Sequence, residues 1–234
     1  MVETQLLETE IYRVARPPDP WAWIDWIHAN KNGTFGCRWD DSRGSYRVLY
    51  ACSQRVGAFV EVLAHFQPDP AIIAENETIE LVEGDDETIP PGVVATSWCR
   101  QRMITKGVAT EVAGSFVVIG ATATLAELRP LFAGRALHYG LPDLDGASIR
   151  VAAPRAFTQE LSTFVEQQRD ASGEPYAGNY HHSRHGDDIE NWAIFERPSM
   201  DGKSPVLSIE REAIDPEDED LHQALALLKL ELRN

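Results

Sequence analysis

Alternating apolar positions and short apolar runs predict the strands of this chain. These segments are rich in Val, Ile, Leu and aromatic residues. The predicted strands are Ile11–Ala15, Tyr46–Cys52, Ile79–Val82, Val93–Ser97, Phe116–Ile119, Ser148–Ala152, Trp192–Phe195 and Val206–Ile209. An acidic loop, residues 83–87, separates Ile79–Val82 from the strand after it.

Apolar residues three and four positions apart predict five helices. They run from Asp19 across Trp21, Trp23, Trp26 and Ile27, from Ser53 to about Phe66, from Thr124 to about Phe132, from Pro154 to about Arg169, and from about Glu217 to Leu232. Asp19, Ser53 and the capping box at Thr124–Glu127 are the predicted caps. Strands and helices mix irregularly, which favours an α+β fold over a regular parallel α/β sheet.

The helix after Ser53 has one buried face and one unusual residue on the other. Val56, Phe59, Val60 and Leu63 form its apolar stripe, and Glu61 lies on the opposite face. A solvated glutamate is the ordinary interpretation of that position. However, Gly57 in mid-helix costs about 1 kcal/mol relative to alanine. Because glycine has no side chain, the helix surface beside Glu61 is thin, and a ligand or another backbone could approach it closely.

The last predicted helix carries Leu221, Leu225, Leu228 and Leu232. This pattern is too short for a coiled coil, so we expect the helix to dock on the core, with a dimer seam as the alternative. The acidic run Asp215–Asp220 before it is typical of a solvated helix start, and a contact for a basic partner is the alternative.

Size and charge narrow the classes of function. The chain of 234 residues has 43% hydrophobic and 25% charged residues, so one domain with a sizeable core is expected. The formal net charge of −16 repels nucleic-acid phosphates and anionic membranes. We therefore expect neither nucleic acid nor membrane as a partner, and a phosphate-bearing ligand would need a locally basic site.

Cysteine content and the N-terminus indicate a cytoplasmic protein. Cys37, Cys52 and Cys99 are an odd number without zinc-type spacing, which fits reduced thiols. The first residues are polar and acidic, unlike a secretory signal, and no apolar run approaches the length of a membrane span.

Arg38 and Tyr50, which precede Glu61 in the sequence, have side chains suited to a nucleotide. Arg38 follows two loop glycines, and its planar guanidinium suits a pyrophosphate, although a salt bridge with Asp40 or Asp41 is the common alternative. Tyr50 closes a strand just before a helix, a junction that often faces ligands. A buried tyrosine with its hydroxyl satisfied is an equal alternative.

A histidine cluster raises a metal hypothesis that the pattern does not favour. His181 and His185 could bind zinc if they were helical. Gly178 and Gly186 flank the cluster and indicate a loop, and no HExxH glutamate is present. No metal is expected, and a metal-dependent hydrolase using His181, His182 and His185 is a remote alternative. The chain also lacks GxSxG, P-loop and GxGxxG motifs.

These residues resemble the RES domain family, which is named for an arginine, a glutamate and a serine. Its first block has the form G-x-R-[WF], then a strand ending in Tyr, then a helix with E-[VTL]-L. The matching segments are Gly36-Cys37-Arg38-Trp39, Leu49-Tyr50-Ala51 and Glu61-Val62-Leu63. The final block, G-I-x-Y-x-S, is similar to the segment Gly178–Ser183. The glycine and the serine keep their spacing, but His181 stands where tyrosine is usual, with Tyr180 one position before it.

The resemblance implies a fold and an activity. The expected fold is ADP-ribosyltransferase-like, with mixed sheets and flanking helices. We expect one RES-like domain over residues 1–234, with a core at about 10–200 and an acidic strand–helix extension at about 201–234. The implied activity is NAD consumption by a toxin of a bacterial toxin–antitoxin pair, neutralised by an Xre-type antitoxin. NAD is then a substrate, cleaved at the nicotinamide–ribose bond by hydrolysis or phosphorolysis.

The same resemblance assigns roles to residues. Glu61 would stabilise the positive charge that develops on the ribose, Arg38 would hold phosphate, and Tyr50 would stack on or orient nicotinamide. Ser183 would hydrogen-bond the ribose or the nicotinamide amide, and Tyr180 and His181 would contribute to substrate binding. Two alternatives stay open: transfer of ADP-ribose to a protein, and a non-catalytic binding module on the same fold.

Overall fold

The computed structural model describes residues 1–68, 91–110 and 114–234. Within these residues, ten strands and five α-helices form an α+β fold. The strands are β1 (Thr4–Leu6), β2 (Ile11–Ala15), β3 (Val48–Cys52), β4 (Val93–Ala95), β5 (Met103–Ala109), β6 (Ser115–Val118), β7 (Gly178–His182), β8 (Glu190–Phe195), β9 (Val206–Ala213) and β10 (Glu231–Arg233). The helices are α1 (Arg55–Leu63), α2 (Ser97–Arg100), α3 (Thr122–His138), α4 (Arg155–Glu166) and α5 (Glu219–Leu228).

Eight strands form one mixed sheet in the order β1-β6-β7-β8-β3-β2-β5-β9. Neighbouring strands are antiparallel except β6 and β7, which run parallel. The connection between these two strands contains α3 and α4. Strands β4 and β10 form a separate parallel pair. Strand β8 is central, and five of its six residues are buried, as expected for a strand covered on both faces.

One face of the large sheet carries two separate helical layers. Since side chains alternate along a strand, Val48, Tyr50 and Cys52 of β3 point to the same face. Cys52 belongs to the apolar cluster formed with α1 and α5, whereas Val48 belongs to the cluster formed with α3 and α4. The two helical layers therefore leave a gap over the middle of the sheet.

The opposite face is covered mainly by aromatic side chains. Trp192 of β8 and Phe116 of β6 pack edge to face, with ring centroids 5.0 Å apart. Trp21 and Trp23 join this cluster from the connection after β2. Both indoles are buried, so these two tryptophans belong to the core.

The prediction of a helix starting at Asp19 is wrong. The segment forms turns and a single 3-10 turn, Trp26–His28. Asp19 accepts a hydrogen bond from the Trp21 backbone at 3.2 Å, and Trp21 Nε1 donates to Thr105 Oγ1 at 3.1 Å. Burial of the two tryptophans against the sheet overrides the helical spacing of the apolar residues.

Two further predictions of local structure are wrong. The segment from Ser148 to Ala152 is not a strand, because reciprocal hydrogen bonds between Ser148 and Asp145 close a turn there. Thr124 is not a helix cap either. It lies inside α3, which continues past the predicted end to His138, and its hydroxyl accepts from the backbone of Glu3 at 3.0 Å.

The N-cap of α1 and the end of α5 also differ from prediction. Gln54 occupies the N-cap of α1, and Ser53 Oγ instead accepts from Trp192 Nε1 at 2.9 Å. Helix α5 ends at Leu228, and Leu232 lies in β10. The docking of α5 on the core is confirmed, with Leu221, Leu225 and Leu228 buried in the cluster that includes α1.

Part of the acidic run before α5 is not free in solvent. Asp218 caps α5 by accepting from the Leu221 backbone at 3.0 Å. Arg55 Nη1 donates to Asp218 at 2.9 Å and to Asp220 at 2.8 Å. Arg55 also lowers the pKa of Asp218. The ion pairs of this acidic run with Arg55 therefore connect α5 to the start of α1.

Some predictions fall outside the described segments. The strand at Ile79–Val82 and the acidic loop at residues 83–87 both lie in the range 69–90. Of the helices in the described part of the chain, none combines the length and the apolar character that crossing a bilayer requires.

Candidate active site

The gap between the two helical layers is a cavity of about 400 Å³. That volume lies in the range of small-molecule sites. Its floor is a row of side chains at one level of the sheet. Strand registers place Tyr12 opposite Cys52, Cys52 opposite Asn191, and Asn191 opposite His181. All four residues line the cavity.

Helix α1 forms one wall. Ala58, Glu61 and Val62 of this helix line the cavity, as does His65 in the turn that follows it, while Phe59 and Leu63 face the core. Glu61 Oε1 accepts a hydrogen bond from Asn191 Nδ2 at 2.8 Å. Glu61 Oε2 has no hydrogen-bond partner among the described residues. The carboxylate is thus held at one oxygen, with the other left for a ligand.

Gly57 serves packing behind this wall. A Cβ at residue 57 would lie 2.9 Å from Cγ2 of Ile189 and 3.5 Å from Cβ of Cys52. The thin helix surface therefore admits the side chain of Ile189, and it brings α1 close to the sheet below Glu61. A close approach at Gly57 was expected from the sequence, but the approaching group is part of the chain itself.

The loop before β3 forms the second wall through Cys37, Arg38 and Trp39. Arg38 Nη1 donates to the carbonyl of Ile149 at 2.6 Å. The alternative salt bridge of Arg38 with Asp40 or Asp41 does not form. Asp40 accepts from the hydroxyl of Tyr50, and Asp41 accepts from Ser45 and Thr163.

Tyr50 combines the two interpretations that its position allowed. Its hydroxyl donates to Asp40 Oδ1 at 2.8 Å and accepts from the Trp39 backbone at 3.0 Å. Burial and the Asp40 carboxylate raise the pKa of Tyr50 well above its usual value. The residue nevertheless lines the cavity. A ligand can contact the ring of Tyr50, whereas its hydroxyl is already hydrogen-bonded to Asp40 and Trp39 of the loop before β3.

The segment Tyr180–His185 divides between cavity and core. Residues up to His182 are a strand rather than the predicted loop, so Tyr180 and His181 point to opposite faces. His181 lines the cavity, and Tyr180 packs on Trp192 with ring centroids 4.7 Å apart. The structure therefore does not bring Tyr180 to the site.

Ser183 does not line the cavity either. The residue is buried, and its hydroxyl accepts from the backbone of His185 at 2.9 Å, while its own backbone donates to Ile189. These bonds shape the turn after β7 that places Arg184 and His185 on the cavity. Ser183 is thus part of the turn and not of the cavity lining.

The cavity is locally basic in a chain of net charge −16. Arg13, Arg38, Arg155 and Arg184 line it together with one carboxylate, Glu61. Within the described residues, none of these four guanidinium groups forms a salt bridge. This cluster can attract an anion against the field of the whole protein.

Neutral side chains surround these charges. Burial, with Arg38 and His182 nearby, lowers the pKa of His181 to about 3. Burial also lowers the pKa of His185, and the Glu61 carboxylate opposes this change. Desolvation of the Cys37 thiol and the Asp40 carboxylate raise the pKa of Cys37 to about 11. At neutral pH, Cys37 is therefore a thiol, which is a poor nucleophile.

The described segments contain no group of three or more His, Cys, Asp or Glu side chains placed to hold a metal ion. His181 and His182 alternate on strand β7 and so diverge. The remote metal hypothesis for the histidine cluster thus lacks a ligand set in this part of the chain.

Comparison with known families decides the classification. The family model of the RES domain matches residues 10–215 of the chain. The chain belongs to the RES domain family. This confirms the resemblance seen in the sequence and the ADP-ribosyltransferase-like α+β fold. RES domains are generally NAD-related toxin domains, and the fold is that of NAD-utilising enzymes. No match was found among curated proteins or among solved structures.

Of the six site residues predicted for this RES domain, four meet in one cavity: Arg38, Tyr50, Glu61 and His181. Sequence reasoning missed other lining residues, among them Arg13, Arg155 and Asn191. Asn191 directly precedes the predicted strand Trp192–Phe195. The alternation of that strand was the signal that could have placed its side chain on the same face as Ala193.

Proposed function

We propose that this protein cleaves the nicotinamide–ribose bond of NAD, by hydrolysis or phosphorolysis, as the toxin of a bacterial toxin–antitoxin pair. Membership of the RES domain family supports an NAD-utilising enzyme. The observation that carries the proposal is the single carboxylate of Glu61 in a cavity otherwise lined by arginines and neutral side chains.

Glu61 has the chemistry that cleavage requires. Departure of nicotinamide develops positive charge on the ribose, as in glycoside hydrolysis. A carboxylate beside the anomeric carbon stabilises that charge and can accept a hydrogen bond from the ribose 2′-hydroxyl. Nicotinamide leaves from a cationic ring, so no general acid is needed to protonate it. One carboxylate therefore suffices for the bond-breaking step.

The arginines supply the binding energy for the dinucleotide. Arg38 comes from the loop before β3, Arg184 from the turn after β7, and Arg155 from the start of α4. Arg38 is half-buried and keeps donors beyond the one bonded to Ile149. Guanidinium groups pair with phosphate oxygens through parallel hydrogen bonds. We assign the pyrophosphate to this group, in which Arg38 is held in place by its hydrogen bond to Ile149.

Tyr50 and His181 shape the part of the pocket that would receive the ring. The hydroxyl of Tyr50 is engaged, so its contribution is the aromatic face. His181 is neutral because of its low pKa, and its Nε2 is taken by the indole of Trp39 at 3.1 Å. Both residues would orient nicotinamide by packing. Ser183 would act through the turn that carries Arg184.

Release of nicotinamide from NAD by the purified protein tests the activity. We expect turnover by the wild-type chain and its loss in Glu61→Gln, because the amide cannot stabilise the ribosyl cation. Glu174→Gln, which alters an exposed loop glutamate, is the matched control and should be fully active. Intact NAD after long incubation with phosphate and with protein acceptors would contradict the proposal.

Labelled NAD identifies the acceptor. Free ADP-ribose indicates water, ADP-ribose 1″-phosphate indicates phosphate, and label on protein indicates ADP-ribose transfer. Binding of NAD without turnover, seen by calorimetry, would indicate a non-catalytic module. The toxin role predicts a growth defect when the chain is expressed, relieved by an Xre-type partner encoded beside it.

A further inference from the structure

We propose that Asn191 is a positioning residue for Glu61, and that the thiol of Cys52 fixes the direction of its side-chain amide. This inference deepens the proposed function, since it concerns the carboxylate assigned to NAD cleavage. It names two residues that lie outside the motifs of the family. Neither residue has to touch the substrate.

The position of Asn191 in the sheet makes it rigid. It lies in the central strand β8, between Cys52 of β3 and His181 of β7. Its exposed fraction is 5%, so the residue is almost completely buried in the cavity floor. A buried amide in a packed strand keeps one rotamer. It can therefore hold a flexible side chain on the neighbouring helix.

Glu61 needs such a partner. It projects from α1 with three rotatable bonds, and it is exposed to the cavity solvent. The hydrogen bond from Asn191 Nδ2 to Oε1, at 2.8 Å, is the one hydrogen bond of the Glu61 carboxylate within the described residues. That bond fixes one oxygen and leaves Oε2 in a defined place. A transition-state contact depends on such placement, because misplacement by about 1 Å can cost about 100-fold in rate.

Cys52 decides which way the amide points. Its Sγ lies 2.8 Å from Asn191 Oδ1. Burial raises the pKa of Cys52 well above its usual value, so the group is a thiol and therefore a donor. A donor from Cys52 selects the orientation in which Oδ1 faces β3 and Nδ2 faces Glu61. In the flipped orientation, Oδ1 would oppose a carboxylate and the amide nitrogen would oppose a donor.

Four variants test the arrangement. Asn191→Leu removes the donor at similar volume, and Asn191→Asp replaces it with a second carboxylate. Cys52→Ala removes the thiol donor, whereas Cys52→Ser keeps a donor at that position. Asn179→Leu is the control, because Asn179 is a buried asparagine of β7 that lies outside the cavity lining.

We expect Asn191→Leu to lower kcat about 10- to 100-fold while the affinity for NAD changes less than about twofold. Cys52→Ala should lower kcat by less, and Cys52→Ser should restore it. Asn179→Leu should lose stability but keep kcat. Wild-type kcat in Asn191→Leu, or a loss of NAD affinity that accounts for the whole effect, would overturn the inference.

The pH profile separates positioning from a general loss of structure. The titratable or charged groups that line the cavity around Glu61 are Tyr12, Arg13, Cys37, Arg38, Tyr50, Cys52, His65, Arg155, His181, Arg184 and His185. None of them changes in Asn191→Asp. A new carboxylate beside Glu61 disfavours its ionised form, so the acid limb of the rate profile should move to higher pH. An unmoved acid limb in a folded variant would count against the inference.

The carboxyl carbon resonance of Glu61, recorded by carbon NMR, keeps this test independent of activity. If Asn191 donates to Glu61, the chemical shift of that carbon differs from wild type in Asn191→Leu, whether or not NAD is consumed. A changed chemical shift in a protein that leaves NAD intact would end the proposed function and keep the contact. An unchanged chemical shift in a protein that consumes NAD would end the positioning role alone.

Discussion

The indole Nε1 of Trp39 lies 3.1 Å from Nε2 of His181, although the two residues are 142 positions apart. Their rings pack with centroids 5.2 Å apart. This contact joins the loop of the first sequence block to the strand of the last block, and both residues line the cavity. It also makes Nε2 an acceptor, so His181 has to be neutral in the folded protein.

The neutral state of His181 predicts how stability depends on pH. The pKa of His181 is about 3 in the folded protein, against an ordinary value of 6.5. The unfolded chain therefore binds one more proton between these two pH values. The free energy of unfolding should fall as pH drops through this window, by up to about 1.4 kcal/mol per pH unit from this residue. Denaturant unfolding at several pH values measures the slope.

His181→Gln should flatten this slope while keeping an acceptor for Trp39. His222→Gln, which changes an exposed histidine of α5, should leave the slope as in wild type. Equal slopes for wild type and His181→Gln between pH 6.5 and 3 would show that His181 is not held neutral.

Tyr50→Phe should separate the two roles of the tyrosine. The variant keeps the ring in the cavity but leaves Asp40 and the Trp39 backbone without their partner. We expect a loss of about 1–3 kcal/mol in stability with NAD affinity almost unchanged. Tyr50→Ala should weaken NAD binding about 5- to 100-fold, since stacking on an aromatic ring contributes about 1–3 kcal/mol per base. Calorimetry and thermal unfolding measure the two quantities.

Tyr46→Phe is the matched control for the hydroxyl. Tyr46 is buried in the α3–α4 layer, and its hydroxyl bonds Ser162 at 3.2 Å. Tyr46→Phe should lose stability without any change in the affinity for NAD. If Tyr50→Phe lost NAD binding as completely as Tyr50→Ala, the hydroxyl rather than the ring would be the recognition element.

Arg184→Gln should weaken NAD binding about 10- to 100-fold, the range for a lost hydrogen bond between charged partners. Arg184 is an exposed arginine of the cavity wall without an ion pair among the described residues. The loss should shrink as ionic strength rises, because salt screens the attraction of exposed charges. Arg43→Gln, an exposed arginine outside this cavity, is the control. Equal affinities for both variants would remove Arg184 from the phosphate site.

Sequence patterns predicted the strands better than the connections between them. Strands β2, β3 and β8 and the stripe of α1 follow from local alternation and helical spacing, which the structure keeps. The segment around Trp21 failed because its helical spacing competes with burial of two indoles against a distant strand. Such a tertiary preference is invisible in a single local pattern.

The same limit of local sequence patterns determines which residues of the candidate site were predictable. Arg38, Tyr50 and Glu61 belong to consecutive elements, so their convergence was predictable. Tyr180 was misplaced because its segment was interpreted as a loop; in a strand, alternation sends it to the face opposite His181. Arg155 and Asn191 reach the cavity through strand register and helix docking. Alternation along β8 could have given the face of Asn191, but no short-range signal in the sequence gives the register of β8 or the docking of α4.

Gly57 is predicted to resist replacement for a reason other than helix propensity. Alanine should gain about 1 kcal/mol in a helix interior, but its Cβ would lie 2.9 Å from Ile189 Cγ2. Overpacking of a buried contact costs about 1–3 kcal/mol, so Gly57→Ala should be neutral to destabilising. In an Ile189→Ala background the same change should stabilise by about 1 kcal/mol. An additive double-mutant cycle would show that the two sites are not coupled.

The final prediction concerns α5, which begins at Glu219, beyond the matched residues 10–215. Leu221, Leu225 and Leu228 are buried against the helix that carries Glu61. Leu225→Ala should therefore cost about 2–5 kcal/mol in unfolding free energy. Leu227→Ala, at a side chain 62% exposed on the same helix, should stay within about 0.5 kcal/mol of wild type.

Activity shows whether α5 supports the site or only the fold. Since α5 braces α1, Leu225→Ala should lower NAD turnover even at a temperature where the variant remains folded, and Leu227→Ala should not. Deletion of the residues after 215 should remove both stability and turnover, because Phe59, Val60 and Leu63 of α1 would lose their apolar cover. A truncated chain that unfolds at the wild-type temperature and turns over NAD at the wild-type rate would show that α1 holds Glu61 in place without this helix.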